Sequence, residues 1–369
     1  MRSPYDRRTR DAQTRLRERG ATALALTPGS NTAYLVGYAG DAGERHAFLF
    51  VPARGDPILV VPELDGARAR DDAAVADVRT WGDADDPRSV VASALGDCGI
   101  ESGAALLDPA MDARFVLDLD DLLPDCDFGL ADDVLGPLRV RKDDAELDAL
   151  RRAGRAADRA MRDVREMGRD AVGMTERELA RRVEDRLAAH GGDGTSFPTI
   201  VASGPNAANP HHEPGDREIE AGEPVTLDFG TRIGGYPSDQ TRTVVFDGEA
   251  PAGYAEAHEA VVDAQRAAVE TVEPGVPAGE IDAAARDVVD AAGYGDAFVH
   301  RTGHGVGLDV HEAPYIVAGN DEPLEEGMVF SVEPGIYVEG EWGVRVEDLV
   351  AVTESGCERL NDTPRGWRI

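Results

Sequence analysis

Residues 220–230, EAGEPVTLDFG, and 325–335, EEGMVFSVEPG, align without a gap. Glu, Gly and the final Gly are identical. Thr226 matches Ser331, Leu227 matches Val332, and the acid Asp228 matches the acid Glu333. Each segment leads into a hairpin-like stretch. An acid at the same place in each copy, Asp228 and Glu333, gives this short match its weight and points to a domain of two related halves. We therefore expect a pseudo-two-fold domain whose halves each hold helices and a hairpin.

The first hairpin reads VTLDFGTRIGGYPSDQTRTVVF, residues 225–246, with Gly234-Gly235 as a natural two-residue turn. That turn sets Asp239 opposite Gly230 and makes Asp228 its diagonal neighbour on the same face. A one-residue bulge would instead set the two acids directly opposite. The second hairpin, MVFSVEPGIYVEGEWGVRVEDLVAV (328–352), places Glu333 and Glu347 symmetrically about Gly340, again as near neighbours on one face. Each acid sits in an otherwise strand-like run, and several carboxylates buried together need positive charge. Metal ions supply it most economically.

A further donor comes from HRTGHGVGLDVHE, residues 300–312, which holds three of the chain's eight histidines. His300 and His304 have the spacing of a helical metal-binding pair. Gly303, Gly305 and Gly307 interleave with them, however, and glycine at this density predicts a loop or irregular strand whose backbone approaches something closely. His304 is the natural fifth ligand beside the four acids. Four carboxylates and one imidazole suit two divalent ions, manganese, cobalt or zinc rather than calcium. Ions about 3.5–4 Å apart could share a water and make hydroxide near neutral pH.

The rest of the chain sorts into two domains, expected at 1–136 and 137–369. The first alternates strand-like runs (21–27, 47–52, 57–62, 104–108) with segments expected to be helical at 5–19 and 87–97, an α/β pattern. Within it SNTAYLVGYAG, 30–40, is polar and glycine-rich and reads as a surface offered to a neighbour's site. The second opens with Asp143 and Glu146 spaced as a capping box. Leu147, Leu150, Gly154, Ala157, Met161 and Val164 then recur at helical spacing, predicting an amphipathic helix of about six turns.

Asp228, Asp239, His304, Glu333 and Glu347, in this order and within FPTIVASGPNAANPHHEPGDREI, LDFGTRIGGYPSDQTRTV, HRTGHGVGLDVHE, SVEPGIYV and GVRVEDLV, form a pattern that resembles the pita-bread metallopeptidases. The resemblance is to the Xaa-Pro dipeptidases (prolidases) and Xaa-Pro aminopeptidases, and TPGSNTAYLVGY is similar to their creatinase-type N-terminal domain. It implies an α/β creatinase-like domain followed by an α+β pita-bread domain with αββ halves. It also implies two divalent metals, manganese or cobalt before zinc, and hydrolysis of the Xaa-Pro bond by a bridging hydroxide. Asp228 would hold one metal, Asp239 and Glu347 would bridge, and His304 and Glu333 would complete the second. Glu333 would also shuttle a proton. His211, His300 and His311 would contact substrate and the tetrahedral intermediate, Arg345 would orient metal-bound carboxylates, and Tyr337 would line the cleft. His212 reads as a loop hydrogen-bonder, and His46, His190 and His258 as structural or exposed. A homodimer and a small peptide substrate are further implications. Competing readings are methionine aminopeptidase, a creatinase-type amidinohydrolase, a hydrolase or lyase of another small solute, and an inactive binding protein. Creatinase-type enzymes work without these ligands, and inactive relatives lose them, so the intact set speaks against both.

Charge bears on partners. Acids outnumber bases 71 to 38, net −33, and Lys142 is the only lysine. Such a surface repels nucleic acid and anionic membranes, so neither is expected as a partner. The charge is spread along the whole chain rather than gathered in a tail. That favours adaptation to a salty cytoplasm over an acidic partner-binding role, since about 1 M salt screens repulsion beyond roughly 3 Å. The N-terminal MRSPYDRRTRDAQTRLRERG has no apolar core, so it is not expected to be a signal peptide. Three scattered cysteines fit a reducing compartment.

Overall fold

The computed structural model describes residues 4–40 and 43–369. The chain divides into two compact units, Met1–Arg139 and Val140–Ile369.

Unit one is a six-stranded mixed sheet with helices. Its strands are β1 (Ala21–Leu26), β2 (Phe48–Pro52), β3 (Ile58–Pro62), β4 (Asp77–Trp81), β5 (Gly103–Leu107) and β6 (Cys126–Leu130), ordered β4-β3-β2-β1-β5-β6. Its helices are α1 (Pro4–Arg19), α2 (Ser30–Val36), α3 (Glu63–Asp72), α4 (Pro87–Asp97), α5 (Ala113–Leu122) and α6 (Asp132–Arg139). The apolar runs became the strands β1, β2, β3 and β5. The strands not foreseen, β4 and β6, are the sheet's two edges. Edge strands are only half covered, so their sequences DVRTW and CDFGL carry no continuous apolar run.

The stretch 30–40 corrects an expectation. It is not a polar surface: α2 buries Asn31, Thr32, Tyr34, Leu35 and Val36. Its polar side chains are satisfied inside the unit. Asn31 donates to Asp108 (3.1 Å) and accepts from Arg139 (2.7 Å), and the Thr32 hydroxyl reaches the Tyr38 carbonyl (2.7 Å). Polar composition misled because buried polar groups that find partners cost little.

Unit two begins with α7 (Asp144–Glu166), capped by the expected reciprocal Asp143–Glu146 box. Then come α8 (Glu176–Ala189), β7 (Ile200–Ser203), β8 (Val225–Phe229), the short strands β9 (Arg232–Ile233) and β10 (Tyr236–Pro237), and β11 (Gln240–Val244). The second half runs α9 (Tyr254–Glu270), α10 (Ala278–Ala291), β12 (Gly303–Gly305), β13 (Glu312–Ile316), β14 (Val329–Val332), β15 (Gly335–Val338), β16 (Trp342–Arg345), β17 (Asp348–Thr353) and β18 (Gly356–Arg359). Each half is thus a helix pair followed by a sheet, β11-β8-β7 in one and β13-β12-β14-β17-β18 in the other. Each also has its own core. Met161, Leu179, Val183, Leu227 and Phe229 pack together in the first half. Ile281, Val289, Phe330, Val344 and Val350 pack together in the second. The repeat in the sequence is a repeat in space, and the fold is the α/β domain plus two-halved α+β domain expected.

Register decides where the acids lie. Gly234 and Gly235 both have positive φ (60° and 85°), the backbone that a tight two-residue turn requires. Asp228 pairs with Thr241, Phe229 with Gln240 and Arg232 with Pro237, so the hairpin keeps one register without a bulge. Asp239 therefore faces Gly230, with Asp228 diagonal to it. In the second hairpin Val332 pairs with Asp348 and Gly335 with Arg345, which sets Glu333 directly across from Glu347.

The three glycines between the histidines each sit against other chain. A Cβ on Gly303 would run into the Ser331 carbonyl, one on Gly305 into the Ala313 carbonyl, and one on Gly307 into the Glu312 carboxylate. That is why 300–312 forms a short strand and loop and no helix. Among the described residues no helix is long and apolar enough to cross a membrane.

Candidate metal centre

The five candidate ligands come together from five separate places. Asp228 lies in β8, Asp239 just before β11, His304 in β12, Glu333 just after β14 and Glu347 just before β17. Together with His211, His300, His311 and Arg345 they line one cavity of about 450 Å³, whose wall also includes Phe197, Ile200, Pro210, His212 and Arg301.

Ligand atoms of Asp239, His304 and Glu347 all lie within 4.8 Å of one another, and all three residues are buried. Burial first, and then the neighbouring acids, push the carboxyls of Asp239 and Glu347 well above the usual carboxylate range. Burial also raises Glu333, partly offset by His300 and Arg345. His304 is pushed down to about 4, chiefly by burial, and is therefore a neutral imidazole at pH 7. Its Nδ1 faces the Gly305 carbonyl at 3.2 Å and is assigned the proton on that ground. Nε2 then turns a lone pair toward Glu333 (3.3 Å) and Asp239 (3.7 Å). A lone pair facing two carboxylates is repulsive unless a cation or a proton lies between them. Asp228 points the same way: its Oδ2 accepts from Arg345 (2.6 Å), while its buried Oδ1 has no hydrogen-bond partner among the described residues. The donor set of carboxylates and neutral imidazole fits divalent metal.

Around the candidate ligands a buried network holds them in place. The Thr241 hydroxyl donates to Glu347 Oε2 (2.6 Å) and accepts from Arg345 Nε (3.1 Å). The Ser331 hydroxyl donates to Glu333 Oε1 (3.0 Å) and accepts from the His304 N–H (3.0 Å). Such partners set ligand orientation as surely as the ligands set the metal. Thr241 and Ser331 were not singled out from sequence. Both lie two residues from a candidate ligand acid, the spacing that returns a strand to the same face, and that was the available signal.

The remaining candidates divide. His311 and His211 meet the cavity with no ring hydrogen bond among the described residues, and the His311 ring lies 4.1 Å from that of His304. His300 also lines the cavity, but both its nitrogens are engaged, Nδ1 with the Arg301 carbonyl (2.7 Å) and Nε2 with the Tyr337 hydroxyl (2.8 Å). Tyr337, expected on the cleft wall, stands behind it. Its hydroxyl accepts from Arg345 (2.8 Å) and donates to His300, so the two face the cavity in its place. His212 bonds Glu176 (2.7 Å), His46 bonds Asp118 (2.7 Å) and His190 bonds Asp163 (2.9 Å), while His258 is buried in α9.

Comparison with known proteins covers both units. The sequence pattern of "Metallopeptidase family M24" matches residues 148–354, and that of "Creatinase/Prolidase N-terminal domain" matches residues 8–141. The chain is 43% identical over 364 residues to the "Probable dipeptidase PepE" of Mycobacterium tuberculosis, covering 98% of this chain and 95% of that one. It is 37% identical to the "Xaa-Pro dipeptidase" of Lactobacillus delbrueckii subsp. lactis, covering 97% of each. Among solved structures, the recombinant prolidase of Thermococcus sibiricus superposes with a TM-score of 0.95 at 37% identity, over 100% of both chains.

Proposed function

Because the chain belongs to metallopeptidase family M24, we propose that it is a metal-dependent exopeptidase that hydrolyses Xaa-Pro bonds, acting as a dipeptidase. The observation that carries this reading is the convergence of Asp239, Glu333 and Glu347 on His304 within one cavity that Asp228 also lines. Asp228 with Asp239 and Glu347 would hold one divalent ion, and His304 and Glu333 with the same two acids would hold a second. Such ions, when bound, supply Lewis acidity and an activated water. Carboxylate-rich donors beside one imidazole favour manganese or cobalt, with zinc next.

The chain's own groups account for the rest. The bond before proline is a tertiary amide with no N–H, so recognition and attack must use its carbonyl. Glu333, raised by burial, takes the proton from the attacking water and returns it to the departing proline nitrogen. His311 faces the cavity with its ring uncommitted and steadies the developing oxyanion, with His300 beside it. His211 contacts substrate from the loop before β8. Arg345 fixes Asp228, and Tyr337 couples Arg345 to His300.

The reading extends to setting. The dispersed net charge of −33 supports a salt-adapted protein, and three free cysteines support a reducing cytoplasm. A homodimer is the assembly that the family resemblance implies.

The test is a substrate panel of Ala-Pro, Ala-Pro-Ala and Met-Ala-Ala in high salt with manganese or cobalt, run beside a chelated control. Metal-dependent cleavage with Ala-Pro as the best substrate is the expected result. Preference for Ala-Pro-Ala would make the enzyme an aminopeptidase. Cleavage of Met-Ala-Ala alone would overturn the proline reading.

A further inference from the structure

The loop that carries His211 runs from Ser203 to Gly215, and both its ends are bound by one buried carboxylate. Glu176, the first residue of α8, has a fully buried side chain. Its Oε1 accepts from the Ser203 N–H (2.8 Å), the Ser203 hydroxyl (2.9 Å) and Asn206 Nδ2 (2.9 Å). Its Oε2 accepts from His212 Nε2 (2.7 Å) and the Gly215 N–H (3.1 Å). Five donors on two oxygens, three of them sharing Oε1, leave none of a carboxylate's roughly four lone-pair sites open. Burial alone would raise the group, yet these hydrogen bonds outweigh it and hold the carboxyl below its ordinary range, so it is ionised at neutral pH.

Residues 204–208 of the loop also pack against β16, with the Ala207 carbonyl lying against Gly343, while Glu176 holds His212 and Gly215 at the cavity-facing end. His211 is exposed, and among the described residues its only hydrogen bond runs from its backbone N–H to Asn209 (3.2 Å). Its position follows from the loop's path between Ser203 and His212.

The second half of the domain repeats the device. Asp282, buried on α10, accepts both the N–H (3.0 Å) and the hydroxyl (2.7 Å) of Thr302 on one oxygen. Its other oxygen accepts from Arg286 (2.8 Å), which in turn donates to the His300 carbonyl (2.5 Å). In each half, the second helix thus sends one buried carboxylate to the N–H and hydroxyl of a Ser or Thr, beside a segment that brings a histidine to the cavity.

We propose that Glu176 is a positioning residue for substrate binding. By tying both ends of the 203–215 loop it holds the loop's cavity-facing segment in the geometry that takes up the peptide. This rests on the exopeptidase reading above.

Glu176→Met keeps the volume and removes both acceptors, and Glu176→Gln keeps one oxygen. With Ala-Pro and manganese, E176M is expected to raise KM about tenfold or more while kcat changes less than about threefold, with E176Q between it and wild type. Bound metal per chain stays at the wild-type level. Backbone hydrogen exchange over 203–215 speeds up in E176M and, to a smaller degree, in E176Q, with no change over 300–312. Should E176M fail to fold, E176Q and Ser203→Ala carry the same test. Unchanged KM, a fall in kcat alone, loss of metal, or exchange over 203–215 as slow as in wild type would each overturn the proposal. Absence of Xaa-Pro hydrolysis by the wild-type chain would instead contradict the exopeptidase reading, and the exchange measurement would still decide the loop's dependence on Glu176.

Discussion

Glu333→Gln is expected to lower turnover of Ala-Pro by about 10²–10⁴-fold, the share usual for a general acid–base group, while the chain stays folded. Glutamine keeps the side chain's size and can still accept from the Ser331 hydroxyl, and the Glu333 N–H bond to the Thr302 carbonyl (2.8 Å) is a backbone contact that the change leaves alone. It cannot carry a proton. Burial raises this carboxyl toward the range in which it can both take and return one. The check is kcat alongside a thermal melt of the same sample. Full residual activity in a folded protein would remove Glu333 from the proton path.

The second large effect concerns stability. Arg345→Leu is expected to destabilise the metal-free protein by about 3–5 kcal/mol at neutral pH, the cost of stripping the partner from a buried charge. The guanidinium is buried and is hydrogen-bonded to Asp228, Thr241 and Tyr337. Without it, the acids face one another with no fixed cation bound to Asp228. The sign of the pH dependence follows from the raised carboxyls of Asp239 and Glu347. Their folded values exceed their unfolded ones, so the native state holds protons that the unfolded chain has released. Stability from these groups is full below the ordinary carboxylate value, about 4, and is lost as pH rises through their elevated folded values. The deficit of the variant should therefore shrink as pH falls from 7 toward 4, and shrink again when divalent metal is added at pH 7. Denaturant melts of both proteins across that range check it. A deficit independent of pH and metal would mean that Arg345 acts through packing alone.

Much of the site could be read from sequence because hairpins convert spacing into geometry. Gly234-Gly235 located one turn and Gly340 the centre of the other, and these two points paired Asp228 with Asp239 and Glu333 with Glu347. Glycine density showed that 300–312 is not a helix. What escaped depends on contacts between distant segments. Nothing near Thr241 in the sequence says that it will touch Glu347, and nothing near Glu176 says that it will meet His212. The helix at 30–36 escaped because its polar residues are paired with Asp108 and Arg139, far along the chain. Tyr337 was placed in the right neighbourhood but on the wrong side of the wall, since alternation in a strand gives the face and not what stands in front of it.

The most direct test of the metal centre is a manganese titration of chelator-stripped protein, following Ala-Pro hydrolysis against ions bound per chain. No turnover in the stripped protein, and a rise that saturates at two ions per chain, is the predicted result. Turnover that persists under chelation, or hydrolysis that takes no account of bound metal, would contradict it.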